Sequence, residues 1–283
     1  MEQIQNNRVI TDLYRENAQF PGIALDGSDV YLCWQRFVDR HDSLMASCRR
    51  GDEVVWEREI SDGGEVLHPV ILAHGGAIWY AWSEYARENW RILARCYRDG
   101  QWGEVLTVAS GEALFFPRLF TWQGRLHVIW TEQHKGSAAA VLCPLTEAGP
   151  GAAETVSAVG EAYRAGAAEG GDGNLYVAYD GFDGKQYKLF ARARTAAGWS
   201  KEIVVSQGED WASTPWIAAK PDGAVVGWYD YGYMAVYSVR SADLTVRDGA
   251  LTAVNPQCLK EGVDWYLDLH VASNSSGLQA MAY

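Results

Sequence analysis

Pro21, Pro69 and Pro117 fall 48 residues apart, and each opens a short apolar run whose following run ends in Trp34, Trp82 or Trp130. A self-similar period of this length implies one supersecondary unit used several times over. The first unit reads Phe20-Pro21-Gly22-Ile23 and closes with Val30-Tyr31-Leu32-Cys33-Trp34. The second opens with His68-Pro69-Val70-Ile71 and closes with Ile78-Trp79-Tyr80-Ala81-Trp82; the third runs from Phe116-Pro117-Arg118-Leu119 to Leu126-His127-Val128-Ile129-Trp130. Asp26-Gly27, Gly75-Gly76 and Gln123-Gly124 separate the two runs, which is the punctuation of a β-hairpin. In the fourth unit Ala165 stands for the proline, Asp172-Gly173 makes the turn, and Leu175-Tyr176-Val177-Ala178-Tyr179 ends without tryptophan. The fifth returns to type with Pro215-Trp216-Ile217, Asp222-Gly223 and Trp228, and a sixth begins near Leu267-Asp268-Leu269 and reaches Met281-Ala282-Tyr283.

A third strand is expected after each hairpin, at 44–49, 92–98, 189–194 and 235–240, and a fourth is marked by Trp56, Trp102 and Trp199. Four short strands per period, with no helical periodicity, predict an all-β chain built from the blades of a β-propeller. We expect one domain, 1–283, of six four-stranded antiparallel blades near 19–67, 68–115, 116–163, 164–213, 214–263 and 264–283, the last completed by 1–18. Arg8-Val9-Ile10-Thr11 precedes Pro21 as Glu59-Ile60-Ser61 precedes Pro69. The N-terminal strand is therefore expected to pair into the last blade and close the ring, removing exposed sheet edges.

With Asp99-Gly100-Gln101-Trp102 and Gly198-Trp199-Ser200 in place, the whole chain resembles the six-bladed propellers of the sialidase-like and TolB-like kind. The Ser-x-Asp-x-Gly-x-x-Trp pattern of an intact Asp box is absent, as are an Arg-Ile-Pro start and the Gly-His to Trp-Asp signature of WD40 repeats.

A formal charge of -12 opposes a nucleic-acid partner or an anionic membrane surface, since Arg49-Arg50 is the nearest approach to a basic run. Met1-Glu2-Gln3-Ile4-Gln5 has neither the basic nor the apolar region of a signal peptide, so the sequence as written reads as cytoplasmic, with a secreted origin open if it has been trimmed. Five cysteines is an odd number, and Cys33, Cys48, Cys96 and Cys143 fall inside predicted strands, where a free thiol behaves as a small buried hydrophobe. A Cys33–Cys48 bridge across one hairpin is the alternative. A monomer is expected.

Functional residues in a propeller gather where the loops between second and third strands meet the loops between blades. Two residues beyond the tryptophans stand Arg36, Glu84, Glu132 and Asp230, and Asp180 follows Tyr179 directly. Repeated around one axis, these would form a ring able to hold a cation, an amine or sugar hydroxyls; charged strand ends that simply face water are the competing reading. Trp90, Trp211, Trp216, Trp265, Tyr85, Tyr229, Tyr231 and Tyr233 should share that face and offer flat apolar surfaces with polar rims, suited to sugars. The expected ligand-binding set is Arg36, Glu84, Tyr85, Trp90, Arg118, Glu132, Asp180, Trp211, Trp216, Asp230, Tyr231 and Trp265, while the repeat tryptophans Trp34, Trp82, Trp130 and Trp228 belong to the core.

No catalytic residue is singled out. Glu84 with Glu132, or Asp180 with Asp230, come from neighbouring blades and would be the pairs for glycoside hydrolysis; His68, Arg118, Arg164 and His270 would be the candidates for a lyase. His41, His68, His74, His127, His134 and His270 show no His-Glu-x-x-His spacing, and there is no Cys-x-x-Cys, so no metal or cofactor is expected. The expected function is non-catalytic binding of a carbohydrate or another small polar ligand at the channel mouth. A glycan-active hydrolase or lyase is the first alternative and a protein-interaction scaffold the second.

Overall fold

The computed structural model describes residues 17–61, 63–158, 160–232, 237–263, 270–273 and 279–282, and its regular structure is entirely β. Five antiparallel sheets of four to five strands follow one another along the chain. The first holds Asn17–Asp26 (β1), Asp29–Val38 (β2), His41–Arg50 (β3) and Glu53–Glu59 (β4). The second holds Glu65–His74 (β5), Ala77–Ala86 (β6) and Asn89–Arg98 (β7), with its outer strand broken into Gln101–Trp102 (β8) and Leu106–Gly111 (β9). Ala113–Trp122 (β10), Arg125–His134 (β11), Ser137–Thr146 (β12), Gly149–Pro150 (β13) and Glu154–Thr155 (β14) make the third. The fourth comprises Ala162–Glu169 (β15), Leu175–Phe182 (β16), Tyr187–Thr195 (β17), Gly198–Trp199 (β18) and Ile203–Val204 (β19). Trp211–Lys220 (β20), Gly223–Tyr231 (β21), Tyr237–Arg247 (β22) and Ala250–Val263 (β23) form the fifth, and His270–Ser273 (β24) pairs with Gln279–Ala282 (β25) in a hairpin of its own.

The period-48 pattern is a strand pattern because tight turns join the first and second strands, two-residue loops that include left-handed backbone in the first three sheets. Gln123 and Gly124, for example, have φ of 49° and 68°, the combination that suits the right-handed twist of the flanking strands. Second strands are the most deeply buried, with every residue of β6 from Ala77 to Glu84 inside. Each lies in the middle of its sheet and is covered on both faces, which is why these runs are continuously apolar and not alternating. Trp34, Trp82, Trp130 and Trp228 are all buried, and Tyr179 takes the same place in the fourth sheet. Truncating Trp82 to alanine would cost about 3–5 kcal/mol.

Four apolar clusters fill the spaces between consecutive sheets. Leu44 and Ala46 pack with Tyr80 and Trp82; Ala81 and Ile92 with Val128 and Trp130; Ile129 and Leu142 with Val177 and Tyr179; Tyr176 and Leu189 with Trp228 and Leu244. The sheets therefore stack face against face, and their first strands run in the order β1, β5, β10, β15, β20 along one inner wall, with β24 beside β20.

Every one of the five complete first strands carries a bulge at the same place. Register slips between Gln19 and Gly22, Leu67 and Val70, Phe115 and Arg118, Tyr163 and Gly166, and Ser213 and Trp216. At the slip, Phe20, His68, Phe116, Arg164 and Thr214 take φ between 42° and 55°, a left-handed conformation costing about 1–3 kcal/mol for a residue with a side chain. Proline follows four of the five, supplying no amide hydrogen exactly where the ladder is interrupted. Ala165 keeps the same geometry, so the sheet itself, and not the proline ring, imposes it.

Cys33 sits opposite Ala46 and Cys48 opposite Tyr31, and all five cysteines are free thiols, so the alternative of a bridge between them is not realised. The third strand of the fifth sheet extends to Arg247, seven residues past its expected end. Arg8–Thr11 and Trp265, on which the expectations of ring closure and of one site residue rest, lie outside the described residues, as does Tyr233. Among the described residues no helix is long and apolar enough to cross a membrane.

Candidate functional site

The five bulges aim their left-handed residues inward. Phe20, His68, Phe116, Arg164 and Thr214 all line a central cavity of about 560 Å³, together with Arg118, Trp216 and the aliphatic side chains of the first strands. Phe20, His68 and Phe116 form a row of rings, with centroids 4.9 and 4.2 Å apart. Across from them the Arg118 guanidinium lies 3.5 Å from the centre of the Trp216 ring. The intervening fourth sheet contributes the small residues Gly166 and Ala167 to the wall, and Gly166 lies against Ile217.

Among the described residues no carboxylate lines this cavity. Its charge comes from Arg118 and Arg164, and both oppose protonation of His68. Burial first, then the two guanidinium groups, push the imidazole down to about 4, so it is neutral at physiological pH. Its Nδ1 is buried and has no hydrogen-bond partner among the described residues. Arg164 is itself half-buried: burial works against its charge, but the Asp180 carboxylate outweighs that and holds the guanidinium above its ordinary value.

Four of the five residues of the expected charged ring, Arg36, Glu84, Asp180 and Asp230, are held in ion pairs. Glu84 is fully buried and bound by Arg91, with the Trp82 indole N–H donating to it at 3.2 Å. Gly64 lies so close to this carboxylate that an added Cβ would stand 2.4 Å from Glu84 Cγ. Asp230 is paired with Arg240 at 2.6 Å, and burial raises its carboxyl above the usual range despite that partner. Arg36 turns outward to Glu59 on the outer strand, at 3.2 Å. Glu132 is half-buried, opposite Leu114 and Ala139. Asp180, fully buried, differs from the other acids in its partner: it grips Arg164, through Nε at 3.0 and 3.1 Å and through Nη2, and Arg164 belongs to the cavity wall.

The loop aromatics fall into two groups. Tyr85 and Trp90 are 5.3 Å apart, and Trp90 meets Phe115 at 4.6 Å, which leads on to Phe116 and the cavity. On the fourth and fifth sheets Tyr187, Trp211, Tyr231 and Tyr237 follow one another with centroids 5.5, 5.6 and 5.5 Å apart. Sequence reading placed Trp211, Tyr231 and Asp180 in the binding set but left out Tyr187, Phe20, Phe116 and Thr214. The residue before each repeat proline was the available signal, because it occurs at the same phase in every unit. Among the described residues no group of three or more His, Cys, Asp or Glu side chains could hold a metal ion.

No family model matches the sequence, and no curated protein matches it. Solved structures do resemble the fold. A Hadza microbial sialidase aligns with a TM-score of 0.57 at 13% identity over 90% of this chain and 61% of its own. A puromycin-hydrolysing peptidase of Mycobacterium tuberculosis gives 0.56 at 15% identity over 94% of this chain and 41% of its own. An α-L-arabinofuranosidase of Lactobacillus brevis gives 0.51 at 11% identity, covering 86% of this chain and 94% of its own. The chain thus spans less than two thirds of the length of the first two neighbours. At such identities the likeness is one of fold, a β-propeller, and the presence of a peptidase beside a sialidase and an arabinofuranosidase shows how little it says of chemistry.

Proposed function

We propose that this chain is a six-bladed propeller, closed by its N-terminal segment, that binds a carbohydrate or another small polar ligand at the mouth of its central channel without transforming it. The sixth blade is supported by β24, which takes the next place beside β20 on the inner wall, and by its pairing with β25 as first and second strands pair elsewhere. The binding reading is carried by the cavity of about 560 Å³ whose described walls combine Phe20, Phe116 and Trp216 with the cations Arg118 and Arg164. Aromatic faces with a few fixed polar groups are what orient a small polar ligand. The formal charge of -12 favours an uncharged or locally matched small ligand over a nucleic acid or a membrane, and the protein is proposed to act as a monomer.

Two observations favour a second reading, that of a glycan-active enzyme. Burial raises the Asp230 carboxyl, as a general acid requires, and two of the structural neighbours are named as a sialidase and an arabinofuranosidase. Against it stand the pairing of Asp230 with Arg240 and the absence of a carboxylate among the described cavity residues.

A glycan array with a monosaccharide panel, run on the intact protein and on folded Phe116→Ala and Arg118→Ala variants, tests the proposal. Binding that both variants lose, with the glycan recovered unchanged, is expected. Release of shortened or modified glycan would replace binding by catalysis, and no binding to any glycan would overturn the reading in favour of a protein-interaction scaffold.

A further inference from the structure

The aromatic residues of the fourth and fifth sheets form one continuous surface beside the cavity. Trp211, Tyr231 and Tyr237 occupy directly opposed register positions on the three inner strands of the fifth sheet, so their side chains share one face. Tyr187 joins from the fourth sheet, 5.5 Å from Trp211, and Tyr163 and Phe182 flank Tyr187 at 6.1 and 5.5 Å. Trp211 is the most open, with 40% of its surface exposed, and its ring lies between those of Tyr187 and Tyr231. Arg164 connects this surface to the cavity: it lines the cavity wall, Asp180 holds it in place, and its charge acts on both Tyr231 and Tyr187.

We infer that Tyr187, Trp211 and Tyr231 make a second sugar subsite, so that the ligand is an oligosaccharide reaching from the channel mouth across the fourth and fifth sheets; this rests on the carbohydrate reading above. Three successive rings make a surface longer than one pyranose. Tyrosine and tryptophan present an apolar face and a polar edge, matching the C–H face and hydroxyl rim of a sugar. A polyanion is opposed by the formal charge of -12, and Arg164, the cation that joins this surface to the cavity, is paired with Asp180.

Calorimetric titration with uncharged arabino-, manno- and cello-oligosaccharides of one to five residues tests this, using wild type and the variants Trp211→Ala, Tyr231→Ala and Trp211→Phe. For the series that binds, affinity is expected to rise with chain length over the first two or three residues. Trp211→Ala should remove roughly tenfold of that rise, and Trp211→Phe should restore part of it. Length-independent binding, or a length dependence that survives in both alanine variants, overturns the second subsite and leaves the channel-mouth reading standing. No binding by any series, single sugars included, overturns both.

Discussion

Arg118 and Trp216 meet face to face, guanidinium carbon 3.5 Å from ring centre, although β10 and β20 belong to sheets separated by a third. This contact ties the third sheet to the fifth at the wall of the cavity. A partly desolvated pair of this kind is worth about 1–2 kcal/mol. A double-mutant cycle of Arg118→Ala and Trp216→Ala, followed by urea unfolding, should return a coupling energy near 1 kcal/mol. Strict additivity would mean the two side chains contribute to stability independently.

His68 should make stability depend on pH. Its folded pKa, near 4, lies below the ordinary value of 6.5. Between these values the unfolded chain binds more protons than the native one, so stability is fully present above about pH 6.5 and is lost as pH falls toward 4. A shift of this size corresponds to about 3 kcal/mol at most. The groups facing the imidazole are Arg118 and Arg164, which stay charged throughout, and the rings of Phe20 and Phe116. His68→Phe keeps an aromatic ring in that row, and its unfolding free energy should fall less steeply than wild type between pH 6.5 and 4. Parallel curves would show that His68 titrates normally. The second buried histidine, His127, also held low by burial, is present in both proteins and cancels in the comparison.

How much of this was legible beforehand depends on whether a feature repeats. Pro21, Pro69, Pro117 and Pro215 with Trp34, Trp82, Trp130 and Trp228 recur in phase, and the hairpins they implied are those observed. Register is set locally by turn and pattern, so sequence carries it. The charged residues after the tryptophans also recur in phase, yet sequence does not show where each side chain finds its counter-charge. Arg91 and Arg240 on third strands, and Arg164 on a first strand, are the counter-charges that Glu84, Asp230 and Asp180 find. The inward ring of Phe20, His68, Phe116, Arg164 and Thr214 was hidden for a different reason. Its members share no chemistry, and what unites them is a backbone conformation that a residue preceding proline ordinarily avoids being bent into.

Ala165 offers a test of that backbone conformation. Arg164 has φ of 42°, the same left-handed region as the residues preceding Pro21, Pro69, Pro117 and Pro215. Proline at 165 should therefore fit the fourth sheet as it fits the other four. Where the native geometry already suits proline, the substitution stabilises by about 0.4–1 kcal/mol, because the unfolded chain has fewer conformations to lose. Ala165→Pro should raise the Tm by a few degrees or less. A fall in Tm would show that the amide hydrogen or the space beside the buried Ala165 matters in this sheet alone.

The Arg164–Asp180 and Arg36–Glu59 pairs separate burial from charge. The two arginines are equally exposed, 29% in each case, but Asp180 is fully buried whereas 36% of the Glu59 side chain is open to water. Exposed pairs contribute about 0–1 kcal/mol, while removing one partner of a buried pair costs about 3–5 kcal/mol because the other charge is left uncompensated. Glu59→Gln should change the unfolding free energy by less than about 1 kcal/mol. Asp180→Asn should cost about 3 kcal/mol, with much of the loss recovered in an Arg164→Met, Asp180→Leu double variant that removes both charges. If the proposed glycan binding at the channel mouth holds, the same double variant should lose it, since the guanidinium is taken out of the cavity wall. Restored stability with full binding would mean that Arg164 serves the fold and that the polar contact to the ligand comes from Arg118.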